Sequence, residues 1–163
     1  PYKGAVEVHG KIAPLIELGA GFDPQLTARE NIYLNGALLG HKKAFMDRHF
    51  NEIIEFAELG DFIDVPIKNF SSGMAARLGF AVATIVKPDI LIVDEVLAVG
   101  DIAFQEKCRK RMESLLKDGT TLLFVSHSSK QVKELCQNAI WLDKGHVVAQ
   151  GRAEDIIQEY ESK

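Results

Sequence analysis

Cysteine is scarce in this sequence. Cys108 and Cys136 lie far apart, with no Cys-x-x-Cys pair and no clustered histidines. A disulfide framework and a zinc site are therefore excluded as organising elements, and two reduced thiols of a cytosolic protein are expected. Long apolar runs are also lacking. The longest, Phe80 to Val86, falls far short of the roughly 20 residues needed to span a bilayer. No charged n-region followed by an apolar stretch opens the chain, so no secretory signal is visible. Neither sign of charge dominates: 19 Lys and Arg face 23 Asp and Glu, a net charge of −4. That balance points to neither nucleic acid nor an anionic membrane surface as partner. Internal repeats and low-complexity tracts are missing as well. So is an initiator: the first residue is Pro1 rather than Met, and the chain is not expected to be a complete gene product.

What is present suits an ordinary globular domain. With 163 residues, 47% of them hydrophobic and 26% charged, the chain can bury one substantial core. Residues Gly4 to Ile16 alternate loosely around His9-Gly10, which predicts two short strands joined by a turn. Gly19 to Pro24 reads as a flexible loop. Thr27 and Glu30 form a capping box that opens a helix running to Gly40. A second helix is predicted from Ala44 to Leu59, with Phe45, Phe50, Ile53, Ile54 and Ala57 on one face and Gly60 as its stop. The polar stretch Asn69 to Met74 enters a third, largely buried helix, Ala75 to Val86. Ile102 to Lys117 carries Phe104, Cys108, Met112 and Leu115 at helical spacing. Thr120 to Val125 reads as a buried strand, Lys130 to Cys136 as a short helix, and Ala139 to Ala149 as a hairpin turning at Asp143-Lys-Gly145. A last helix, Glu154 to Tyr160, closes the chain.

The chemistry concentrates at strand ends. Ile90 to Val93 is a short continuous apolar run, the pattern of a parallel strand buried on both faces, and it stops abruptly at Asp94-Glu95. Ionised carboxylates are costly to bury, so a pair at that position wants a cation or a water-filled site. In open α/β sheets ligands bind beyond the carboxyl ends of strands. Taken alone, the pair could equally be a solvated turn. A second apolar strand, however, ends in Ser126-His127, and a Ser-Ser-Gly loop enters a helix just upstream. A helix N-terminus preceded by Ser and Gly offers free N–H groups and a positive dipole end to an anion. Carboxylates for Mg²⁺, an imidazole and a phosphate-binding helix end together suit phosphoryl chemistry. Each residue also has a plainer reading. His127 could be a satisfied core histidine, Asp101 only the N-cap of the helix from Ile102, and Ser71 only a cap, with Ser72 the better placed of the two. His9, His41, His49 and His146 join no constellation and are expected at the surface.

With these motifs in order, the sequence resembles the nucleotide-binding domain of ATP-binding cassette (ABC) transporters along its whole length. ILIVDE resembles that family's Walker B strand, Ala98 to Asp101 its D-loop, and Val125-Ser-His127 its switch-histidine strand. Phe70-Ser-Ser-Gly-Met74 resembles the signature loop LSGGQ, matching at Ser71 and Gly73 and departing at Phe70, Ser72 and Met74. ELGAGFDPQLTARENIYLNG and DEVLAVGDIAFQEKC further resemble the subfamily that exports bacterial surface polysaccharides such as O-antigen and teichoic acid.

The resemblance implies an α/β fold of P-loop NTPase type, mostly parallel, with an inserted all-helical subdomain. Residues 1–24 and 88–163 would form the ATPase core and 25–87 the helical part. It implies ATP and Mg²⁺ as cofactors. Asp94 would hold the metal, Glu95 would orient and deprotonate the attacking water, and His127 would sense the γ-phosphate. Ser71, Ser72 and Gly73 would bind the γ-phosphate of a nucleotide held by the partner, and Asp101 would cross the interface. A second, identical domain and transmembrane permease subunits are the implied partners, at the cytoplasmic face of the inner membrane, with neither nucleic acid nor polysaccharide touching this chain.

Two departures stand out. The phosphate loop GxxxxGK[ST] is missing, since Gly10-Lys11 is followed by Ile12 and lacks the spaced glycine. N-terminal truncation is the expected reason. The Q-loop glutamine is absent too, with Glu17 or Leu18 in its region. The alternative is a non-catalytic ABC-type module that donates its signature loop but binds no nucleotide itself. A soluble ABC ATPase of translation or DNA repair would need tandem or coiled-coil features, and none occurs here.

Overall fold

A computed structural model describes residues 2–15, 18–94 and 100–162. Three parallel strands form one sheet, β1 (Ile12–Leu15), β2 (Ile90–Asp94) and β3 (Thr121–Val125), with β2 in the centre. Between β1 and β2 the chain makes three helices, α1 (Ala28–Leu38), α2 (Lys43–Ala57) and α3 (Ser72–Ala83). Helix α4 (Ile102–Lys117) crosses from β2 to β3. After β3 come the short α5 (Ser129–Leu135), the antiparallel pair β4 (Asn138–Asp143) and β5 (His146–Arg152), and α6 (Ala153–Glu161). The expected α/β class and mostly parallel sheet are therefore what the chain forms.

One contiguous core joins helices α1–α4 to one face of the parallel sheet. Ile32, Met46, Ile53, Leu78, Phe80, Leu91, Val93, Phe104 and Met112 are all fully buried in it. The capping box at α1 forms as the sequence predicts. Thr27 N–H donates to Glu30 Oε2 at 2.8 Å, and Glu30 N–H donates to Thr27 Oγ1 at 3.2 Å. Helix α4 buries the four residues its spacing predicts, Phe104, Cys108, Met112 and Leu115. The β4–β5 hairpin turns through Lys144 (φ 47°) and Gly145 (φ 80°), the left-handed pair that a two-residue turn requires. Trp141 of β4 meets Tyr160 of α6 edge to face.

Several expectations need correcting. Only one strand forms between Gly4 and Leu15: Val6 and Val8 are exposed and unpaired, because alternation without a partner strand does not make a sheet. β3 is not buried on both faces. In register, Ile12, Ile90 and Thr121 share one side with Pro14, Ile92 and Leu123, then Asp94 and Val125. Leu123 and Val125 remain 56% exposed there, while Leu91 and Val93 face the core. The run in β2 is likewise half-buried at Ile90 and Ile92. Helix α3 begins at Ser72, not Ala75. Helix α2 ends before Gly60, at Glu58, which takes the left-handed conformation itself (φ 59°). His41 and His49 are half-buried rather than free at the surface, packed on either side of the Phe45 ring. Burial lowers the pKa of His41.

The 19–24 loop is tied down rather than flexible. Asn31, fully buried on α1, accepts from Asp23 N–H at 2.7 Å and donates to the carbonyls of Asp23, Leu26 and Thr27. Asn35 donates to the Ala20 carbonyl.

Candidate functional site

The parallel pairing of β2 and β3 sets the site. Asp94 lies opposite Val125, so the carboxylate closing one strand and His127, two residues past the end of its neighbour, emerge at the same edge of the sheet. Both side chains are exposed. Glu95 lies outside the described residues. Asp94 sits where the core-facing alternation of β2 gives way to solvent, which is why a charged residue is tolerated there.

The start of α3 is built around Ser71. Its backbone is extended and its Oγ accepts from Met74 N–H at 3.2 Å, so Ser71, not Ser72, is the N-cap. Ser72 is the first helical residue, and its amide is among those left without an intrahelical acceptor. Around Gly73 there is room. A side chain there would meet nothing nearer than Ser71 Oγ at 3.8 Å. Farther along the same helix the reverse holds: a Cβ on Gly79 would lie 2.6 Å from Gly19 N. Gly79 thus lets α3 press directly against the backbone of the 18–19 turn.

Asp101 is engaged within its own chain. Its Oδ1 accepts from Phe104 N–H at 2.9 Å, capping α4, and its Oδ2 takes Arg77 Nη2 at 2.7 Å. The Phe104 amide, with the Arg77 charge beside it, holds this carboxyl below its usual range. Cys108, one turn further, is a buried thiol whose pKa desolvation pushes up to about 12, so it is a core residue and no nucleophile.

Four residues important to this region carry no sequence signal that singles them out: Asn31, Glu58, Arg77 and Lys107. Gly79 does carry one, since a glycine inside an otherwise strong helix usually marks a close approach. Among the described residues, no group of three His, Cys, Asp or Glu side chains gathers into a closed metal cage. No described helix is long and apolar enough to cross a membrane.

Comparison with known proteins places this architecture. Residues 4–98 match the family described as ABC transporter, and the chain belongs to that family. It is 52% identical over 160 residues to the O-antigen export system ATP-binding protein RfbB of Klebsiella pneumoniae, covering 98% of this chain and 65% of that protein. It is 44% identical to the teichoic acids export ATP-binding protein TagH of Enterococcus faecalis, covering 96% of this chain and 35% of that protein. The chain thus spans less than two thirds of the length of these relatives. Among solved structures, the ATP-binding subunit of an ABC transporter shares the fold at a TM-score of 0.78 and 22% identity, over 93% of this chain and 62% of the other. A dimeric ATP-binding cassette in a post-hydrolysis state, bound to ADP and Pi, shares it at 0.69 and 23%, over 88% and 63%.

Proposed function

We propose that this chain is the ATP-hydrolysing part of an ABC transporter that exports a cell-surface polysaccharide of the O-antigen or teichoic acid type. The observation that carries the enzymatic reading is the β2–β3 register, which favours Asp94 and His127 acting at one sheet edge. The export reading draws on the relatives, named for O-antigen and teichoic acid export. In this reading residues 1–24 and 88–163 form the ATPase core and 25–87 the helical part.

An exposed carboxylate at a strand end fits Mg²⁺, which keeps several waters and is commonly held by one or two carboxylates and by substrate phosphates. Asp94 would hold it, and its charge would be supplied to the phosphate oxygens. Glu95 accepts the proton of the attacking water, a role that needs a carboxylate and not merely a polar group. His127 donates to the γ-phosphate. Ser71, Ser72 and Gly73 present the free amides of α3 to the nucleotide of a second copy, so two chains meet head to tail. That a cassette sharing this fold is described as dimeric supports a two-chain reading. These 163 residues hold no GxxxxGK[ST] motif, so the grip on the β- and γ-phosphates is not among them. Permease subunits receive the closure, at the cytoplasmic face of the membrane, and the glycan never touches this chain.

The reading is tested in the host. Deleting the gene abolishes surface polysaccharide, the full-length wild-type gene restores it, and an Asp94→Asn allele expressed at equal level does not. Full restoration by Asp94→Asn contradicts the metal-holding role. No loss of surface polysaccharide on deletion contradicts the export role.

A further inference from the structure

Three charged side chains beneath Asp101, Glu58, Arg77 and Lys107, form a network with it and belong to none of the roles above. Arg77, in the second turn of α3, is mostly buried, with its side chain 17% exposed. Its guanidinium stacks on the Phe104 ring, with Cζ 4.6 Å from the centroid. One arm donates to Glu58 Oε2 at 2.9 Å and the other to Asp101 Oδ2 at 2.7 Å. Lys107 of α4 donates to Glu58 Oε1 at 3.0 Å and to the carbonyls of Phe56 and Glu55, the last turn of α2. The planar fork of arginine can hold two carboxylates at fixed angles at once, and a lysine cannot. Glu58 makes these contacts from a left-handed backbone that a non-glycine residue rarely adopts. Strain of that kind persists where the surroundings impose it.

The position of Arg77 in the chain gives the network its meaning. It lies six residues after Ser71, on the helix whose N-terminus carries Ser71, Ser72 and Gly73. It also presses on Gly100: a Cβ there would lie 3.1 Å from Arg77 Nε and 3.2 Å from Phe104 Cβ. Gly100 and Asp101 follow Glu95 closely in the sequence. One guanidinium therefore joins the helix of the signature loop to Gly100 and Asp101. We propose that Arg77 is a positioning residue that couples the Ser71–Gly73 helix to Gly100 and Asp101 at the start of α4, acting through Asp101 and Glu58 and touching no substrate. This inference rests on the ATPase reading for its kinetic consequence, though not for its structural one.

The test uses the full-length protein with Arg77→Met, which keeps the packing on Phe104 and removes the fork, together with Arg77→Lys, Asp101→Asn and the double variant Arg77→Met/Asp101→Asn. Arg77→Met should lower kcat for ATP about tenfold with KM within about twofold, as expected for misplaced catalytic groups. Arg77→Lys should not rescue it, and the double variant should lose no more than the worse single one. Hydrogen exchange of a peptide covering residues 100–108 should rise in Arg77→Met while the α1–α2 peptides stay protected. A kcat within about twofold of wild type, or losses that multiply in the double variant, overturns the coupling. If the wild type turns over no ATP, the ATPase reading fails by itself. Exchange then decides for Arg77: increased exchange at 100–108 supports the coupling, and unchanged exchange overturns it.

Discussion

At the scale of single residues, the polar groups that matter most are the ones hydrophobic patterning passes over. Asn31 occupies an inward position of α1 where an apolar residue would be expected. Its amide instead satisfies the Asp23 N–H and three backbone carbonyls of the preceding loop. Replacing it by leucine leaves those buried groups without partners, at a cost of about 3 kcal/mol. A urea titration of Asn31→Leu should show a midpoint lowered accordingly at unchanged slope, and an unchanged midpoint would remove Asn31 from this role. Cys108, by contrast, does what its spacing predicts, filling the core as a small hydrophobe.

Elements meet through glycines and charges more than the apolar stripes alone suggest. Helix α3 illustrates this, because its two glycines have opposite surroundings. Gly79 touches the Gly19 backbone and has no room for a methyl group, so Gly79→Ala must displace the 18–19 turn, costing about 1–3 kcal/mol. Gly73 stands in open space near the helix start, where alanine costs nothing sterically and improves helix propensity. Thermal unfolding should therefore rank Gly73→Ala at or above wild type and Gly79→Ala well below it. Activity should order them differently, since Gly73→Ala places a methyl group where the nucleotide of the second copy is proposed to sit. Equal melting temperatures for the two would contradict the packing described for α3.

Legibility divides at this scale too. Capping boxes, helical spacing and the turn at Lys144-Gly145 are local, and they appear in the fold as the sequence predicts. Burial of β3 is not local: a strand's second face depends on what packs against it, and Leu123 and Val125 look apolar whether or not anything does. The single strand at Ile12–Leu15 is a similar case, since pairing with β2 is a long-range event that Val6 and Val8 do not share. Of the candidate site, the juxtaposition of Asp94 and His127 is readable because strands joined by a single crossover helix tend to be neighbours in a parallel sheet, as β2 and β3 are. The Arg77 network was not readable, because it joins α2, α3 and α4 across large sequence separations.

Taken as a whole molecule, the chain is a member of the ABC transporter family, and Asp94 and Glu95, proposed to hold the metal and activate water, stand in a sequence without the GxxxxGK[ST] motif. The central claim is that this pair serves ATP hydrolysis, with Glu95 as the base. Steady-state ATP turnover by the full-length protein, beside its Glu95→Gln variant, tests it most directly. Glutamine keeps the size and hydrogen bonds of the side chain but cannot take a proton, so kcat should fall by about 10²-fold or more. ATP should stay bound, as read by filter retention of labelled nucleotide. Turnover by Glu95→Gln within a few-fold of wild type would contradict the account.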